Sequence, residues 1–104
     1  MNEHSLILRR TVIGGDRIED DYCVWFEGRR VGRLMLAENH VQHVDTWRWF
    51  INPPLPVPPW ANGSARTLDG AKAAFRAAWE RFYASLTPED IRHWHRTDGA
   101  RSDQ

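Results

Sequence analysis

Thr67-Leu68-Asp69-Gly70-Ala71-Lys72-Ala73-Ala74-Phe75-Arg76-Ala77-Ala78-Trp79-Glu80-Arg81-Phe82-Tyr83-Ala84-Ser85-Leu86 reads as one amphipathic helix, and the chain before it supplies the surface on which it packs. Ala71, Ala74, Phe75, Ala78, Trp79, Phe82 and Leu86 recur at three- and four-residue steps, which at about 3.6 residues per turn puts them on one stripe. Asp69, Lys72, Arg76 and Glu80 fall on the other side. Thr67 is suited to cap the free amides of the first turn, and Asp69 complements the positive end of the helix dipole. A lone helix cannot bury Phe75, Trp79 and Phe82, so it requires a partner layer.

The upstream residues read as strands. Ser5 to Ile13 is leucine-rich and β-branched, and Gly14-Gly15 ends it with a pair that accepts the positive φ of a turn. Asp16 to Asp21 holds four acids and reads as a solvated loop. Tyr22 to Phe26 and Arg30 to Leu36 flank Glu27-Gly28-Arg29, a hairpin connection with glycine where a tight turn wants it. With strict alternation Tyr22, Val24, Val31 and Met35 share one face of this hairpin, and Cys23, Trp25, Leu34 and Leu36 share the other. Thr46 to Ile51 follows as a further strand, with Trp47, Trp49 and Ile51 opposite Arg48 and Phe50.

Residues 52–66 hold five of the six prolines and then a glycine-serine stretch, which predicts an extended connector rather than helix or central strand. After the main helix at 67–86, Thr87-Pro88-Glu89-Asp90 starts a second, short one over 88–97, with Ile91 and Trp94 on its apolar edge. Residues 98–104 read as a tail. The expected fold is a single α+β domain: an antiparallel meander of three to four strands over residues 5–51, packed by one long helix and followed by a short one.

Composition narrows the partners. Fourteen basic and fourteen acidic side chains cancel, so no net field draws the chain to nucleic acid or to an anionic membrane. No stretch approaches the about 18 apolar residues of a membrane span. Cys23 is the only cysteine, which excludes an internal disulfide and a cysteine-based metal site, and a reducing cytoplasm is the expected location.

Motifs for chemistry are absent. His40 and His43 lie three apart in a polar loop, and His93 and His95 two apart on a helix, and neither spacing is that of a helical zinc pair. Cys23 sits inside a strand pattern without a companion motif, and no serine stands in a nucleophile elbow. No enzyme, cofactor, metal or small-molecule substrate is expected. Pro53 to Pro56 and Pro56 to Pro59 repeat a Pro-x-x-Pro spacing, but the flanking arginines of such peptide ligands are missing, and a rigid spacer accounts for the run.

The arginines on predicted strands carry the most information. Arg9, Arg10, Arg30, Arg33 and Arg48 lie among Trp25, Trp47 and Trp49. Alternation sends Arg9 and Arg10 to opposite faces, and Arg30 and Arg33 likewise. A sheet backed by a helix can lie in a DNA groove with arginines on bases and phosphates.

Gly14-Gly15-Asp16-Arg17-Ile18-Glu19-Asp20-Asp21-Tyr22, Val31-Gly32-Arg33, Trp47-Arg48-Trp49-Phe50 and Ala71-Lys72 with Phe75 and Trp79 together resemble a group of small hypothetical proteins of rhizobia and related α-proteobacteria. That group has no established activity, so the resemblance implies a bacterial cytoplasmic source and points to no particular function. The order of strands and helix is also similar to AP2-type and integrase-arm DNA-binding domains, a likeness from which the proline connector departs.

These readings lead to a non-catalytic binding or interaction module. Its expected working surface is the sheet face away from Phe75 and Trp79, with Trp47, Trp49, Arg33, Arg48 and Arg30 as binding residues. A protein partner or a second copy of the chain is the expected occupant, and nucleic acid the alternative.

Overall fold

Two tight turns fold the first third of the chain into three consecutive antiparallel strands. The computed structural model describes residues 5–37 and 45–101. Strand β1 (Leu6–Ile13) turns at Gly14 and Gly15 into β2 (Asp16–Phe26), which turns at Glu27 and Gly28 into β3 (Arg29–Ala37). All four turn residues have positive φ, between 51° and 88°. That conformation matches the right-handed twist of the strands it joins and makes two-residue connections possible. Because the glycine pair returns the chain at once, Asp16 to Asp21 is strand and not the expected loop, with Ile13 opposite Asp16.

Strand β4 (Thr46–Ile51) pairs with β3, and a fifth strand, β5 (Asn62–Ala65), pairs with β4, giving the sheet order β1-β2-β3-β4-β5. The strand β5 lies inside the expected connector. It forms because the proline segment doubles back, with the Ile51 amide donating to the Ala61 carbonyl at 2.8 Å. Gly63 then sits under the Trp49 ring, in a place with little room for a side chain.

Two helices follow, α1 (Leu68–Ala84) and α2 (Pro88–Arg101). The Thr67 hydroxyl accepts from the Gly70 amide at 3.0 Å, as the capping pattern requires. Thr87 and Asp90 cap α2 reciprocally, the Asp90 amide donating to the Thr87 hydroxyl at 3.1 Å and the Thr87 amide to the Asp90 carboxylate at 2.9 Å. The Thr87 backbone amide first, and the Thr87 side chain with it, hold the Asp90 carboxyl below its ordinary range. Helix α2 runs past the expected end at residue 97 and through Gly99, reaching Arg101. Its last turn is tied to the sheet, since Asp98 lies 3.7 Å from the Arg29 guanidinium.

The core lies between the sheet and the helices. Ala71, Phe75, Ala78, Trp79 and Phe82 of α1 are buried, as their periodicity predicts. Trp79 is the centre: Phe26 packs edge-on at 5.1 Å, and Phe82, Tyr83 and Trp94 lie at 5.8 Å. Each such ring, once buried, contributes about 1.5–3 kcal/mol from lost water contact. The indole N–H groups of Trp79 and Trp94 are buried with no acceptor among the described residues.

Candidate binding face

The outer face of the sheet, away from the helices, is organised by one irregularity. Phe26 stands opposite Arg29 and Trp25 opposite Arg30, but Val24 stands opposite Gly32, so Val31 is an extra residue in β3. A β-bulge of this kind resets the alternation beyond it. Arg30, opposite the outward Trp25, and Arg33, opposite the outward Cys23, therefore lie on the same face. The expectation that they diverge is corrected, because it assumed an unbroken period of two. The same reset moves Leu34 and Leu36 to the helix side with Tyr22 and Val24, and Met35 to the outer side with Cys23. Val31 and Gly32 both turn toward the helix, and Val31 is fully buried.

Arg9, opposite Cys23, and Arg48, opposite Met35, share the outer face, so four of the five arginines weighed from the sequence meet there, while Arg10 points to the other side. Arg9 lies over the Trp25 ring at 5.5 Å, and Arg10 over Tyr22 at 5.8 Å. Arg30 and Arg48 are exposed and have no hydrogen bond or ion pair among the described residues.

Arg33 is held differently. Its Nε donates to Asp21 Oδ1 at 2.8 Å and its terminal nitrogen to Oδ2 at 2.6 Å, a two-pronged clamp. The Thr11 hydroxyl donates to the same Oδ1 at 2.7 Å and lies 3.5 Å from the Cys23 sulfur. Burial works to raise the Asp21 carboxyl, but the bonds from Arg33 and Thr11 and the charge of Arg33 outweigh it and keep the group below its ordinary value. The bond to Asp21 in turn raises the Arg33 guanidinium.

Around this clamp is a concavity of about 330 Å³, lined by Thr11, Cys23, Arg30, Arg33, Phe50 and Asn52 and closed on one side by Val12 and Ile13. The last two belong to the far end of the β1–β2 hairpin. The ladder is irregular there: Arg10 stands opposite Tyr22 but Val12 opposite Arg17, so β2 bulges between them, and Asp20 takes a left-handed φ of 57°. Asp is one of the few residues with side chains that tolerate it.

The expected tryptophans are elsewhere. Trp49 is buried on the helix side, 6.2 Å from Phe75, and Trp47 is half-buried on the same side against Tyr22 at 6.2 Å. The expectation that they share the outer face with Arg33 and Arg48 is corrected, since the alternation of β4 itself separates Trp47 and Trp49 from Arg48 and Phe50. Aromatic surface on the outer face comes instead from Trp25 and Phe50, both half-buried. Thr11 and Asp21 were not legible as site residues, because the clamp depends on where two bulges place them.

Among the described residues no three His, Cys, Asp or Glu side chains converge on a metal-sized site. His93 is exposed and His95 packs on Trp94 at 5.1 Å, while His40 and His43 lie outside the described residues. No helix among the described residues is long and apolar enough to cross a membrane. No protein-family model matches the chain, and no match is found among curated proteins or solved structures.

Proposed function

We propose that the chain is a small non-catalytic binding module whose outer sheet face engages an acidic surface of a protein partner. What supports this is the extra residue at Val31, which leaves Arg30 and Arg33 facing the same way as Arg9 and Arg48. Among the described residues Arg9, Arg30 and Arg48 make no ion pair, and Trp25 and Phe50 add aromatic area on the same face. Arginine beside half-buried aromatic rings is the composition of interface anchors. A second copy placed face to face would set arginine against arginine, so an acidic partner suits the face better than self-association.

The test is capture from a bacterial lysate by the full chain, with and without nuclease, for the native protein and for Arg30→Glu with Arg48→Glu. Nuclease-resistant capture of an acidic protein that the double variant loses supports the reading. Equal capture by the variant overturns it.

The same cluster of four arginines favours one other reading, binding of duplex DNA through contacts with its phosphates. Net neutrality and the acids Glu19 and Asp20 beside Asp21 weigh against it. It predicts a mobility shift at low salt that fades steeply as salt rises. Absence of a shift at low salt removes it.

A further inference from the structure

We infer that β1 is an open docking edge that takes an extended acidic segment of a protein partner as a sixth strand. The inference deepens the function proposed above by naming the form of the partner, and it rests on a different part of the surface. In the sheet order β1 is one of the two edges, and it is eight residues long against four for β5 at the other edge. Natural edges of that length are usually blunted by proline, by bulges or by lysine. Residues 6–13 contain neither proline nor lysine, the ladder to β2 is regular from Leu6 to Arg10 and shifts only beyond it, and the strand carries Ile7, Val12 and Ile13, three of the four large hydrophobic residues exposed among the described residues.

A groove runs along this edge on the helix side. Helix α1 lies chiefly over β4 and β5 and reaches β2 at Phe26 through Trp79 and Tyr83, so the β1 edge is the part of the sheet farthest from it. The resulting space of about 550 Å³ has Leu6, Leu8, Val24 and Leu34 as its floor, and Lys72 and Arg76 of α1 as its far rim. Side chains of a strand added to β1 alternate between the outer face and this groove. Apolar side chains beside Leu6 and Leu8 would extend its floor.

Charge selects the occupant. Arg9 stands on the outer side of the edge and Arg10 on the inner side, and Lys72 and Arg76 face the groove, with Asp69 as the one acid lining it. Both strand arginines lean back over rings of β2, which leaves the backbone of β1 clear. Self-pairing in the antiparallel registers centred on Arg9 or Arg10, those that overlap the strand most fully while keeping both faces continuous, places like charges directly opposite each other. A strand with carboxylates opposite Arg9 and Arg10 and apolar residues opposite Leu6 and Leu8 meets every one of these groups favourably.

The experiment uses the full chain and a synthetic ten-residue peptide with two adjacent acids, Asp or Glu, to stand opposite Arg9 and Arg10, and Val or Ile opposite Leu6 and Leu8, beside a counterpart in which Lys replaces each acid. Amide hydrogen exchange across β1 is expected to slow at least tenfold with the acidic peptide and to stay unchanged with the basic one. Arg10→Glu with Lys72→Glu should weaken binding at least tenfold while circular dichroism stays native, and the milder Arg10→Ser with Lys72→Ala should weaken it in the same direction. Unchanged exchange in β1, equal protection by both peptides, or a dimer in sedimentation whose interface protects β1 would overturn the inference. Arg30→Glu with Arg48→Glu separates the two proposals. Loss of peptide binding in that variant alone overturns the edge and leaves the outer face standing, whereas loss in the Arg10 and Lys72 variant alone supports the edge, and the outer face is then decided by the capture experiment.

Discussion

The ring of Phe75 lies directly on Gly32, so close that a Cβ added to the glycine would collide with the ring's Cε2 and Cζ and stand 2.5 Å from the Phe50 carbonyl oxygen. This contact is where the helix meets the sheet. Gly32 has an ordinary negative φ, so the demand for glycine is one of space and not of backbone freedom. Gly32→Ala is expected to cost about 1–3 kcal/mol by overpacking and Phe75→Ala about 3–5 kcal/mol by cavity formation. In urea unfolding the two should couple, Gly32→Ala costing less in the Phe75→Ala background, although the Phe50 oxygen keeps part of the penalty. Additive costs would contradict the contact.

Removal of one residue from a strand normally sends every later side chain to the wrong face. Val31 is the exception, because deleting it leaves Trp25 opposite Arg30 and Val24 opposite Gly32 in an unbroken ladder. The Val31 deletion should fold, losing about 1.5–3 kcal/mol for one buried side chain. Deletion of Leu34 should not fold. Thermal unfolding followed by circular dichroism compares them, and equal damage from both would refute the bulge.

Asp21 predicts a specific dependence on acid. A carboxyl held below its unfolded value stabilises the native state above that value, near pH 4, and the contribution is lost as pH falls through the lower native value. Asp21→Asn should therefore cost about 1–2 kcal/mol at neutral pH, within the range for a charge-assisted bond on a partly exposed partner. The gap from the native protein should narrow below about pH 4. A gap independent of pH between 3 and 7, measured by urea unfolding at each, would show that the clamp is not ionic.

Both helix starts should answer to their caps. Thr67→Ala and Thr87→Ala should each lower stability by about 1 kcal/mol. Asp90→Ala should approach the Thr87→Ala effect, since the two residues cap one another, and the double variant should cost less than the sum.

The parts of the fold written in local chemistry were legible. The stripe from Ala71 to Phe82, the threonine caps and the Glu27-Gly28 turn are each set by residues within a few positions of one another. Strand β5 was not, because Asn62, Gly63, Ser64 and Ala65 carry no apolar alternation and pair only once Trp49 offers them a neighbour. Nor was the face of the arginines. Residues 30–36 alternate equally well with or without an extra residue, and what selects the bulge is tertiary: Val31 fills the core while Gly32 admits Phe75. The candidate tryptophans failed for a related reason, as bulk that looks suited to a partner is spent on the chain's own helix.

Cross-strand proton contacts by nuclear magnetic resonance test the arginine face most directly. The account predicts backbone contacts pairing Trp25 with Arg30 and Val24 with Gly32, leaving Val31 without an opposite residue in β2. Contacts pairing Val24 with Val31 and Cys23 with Gly32 would show a regular hairpin, return Arg30 and Arg33 to opposite faces, and contradict it.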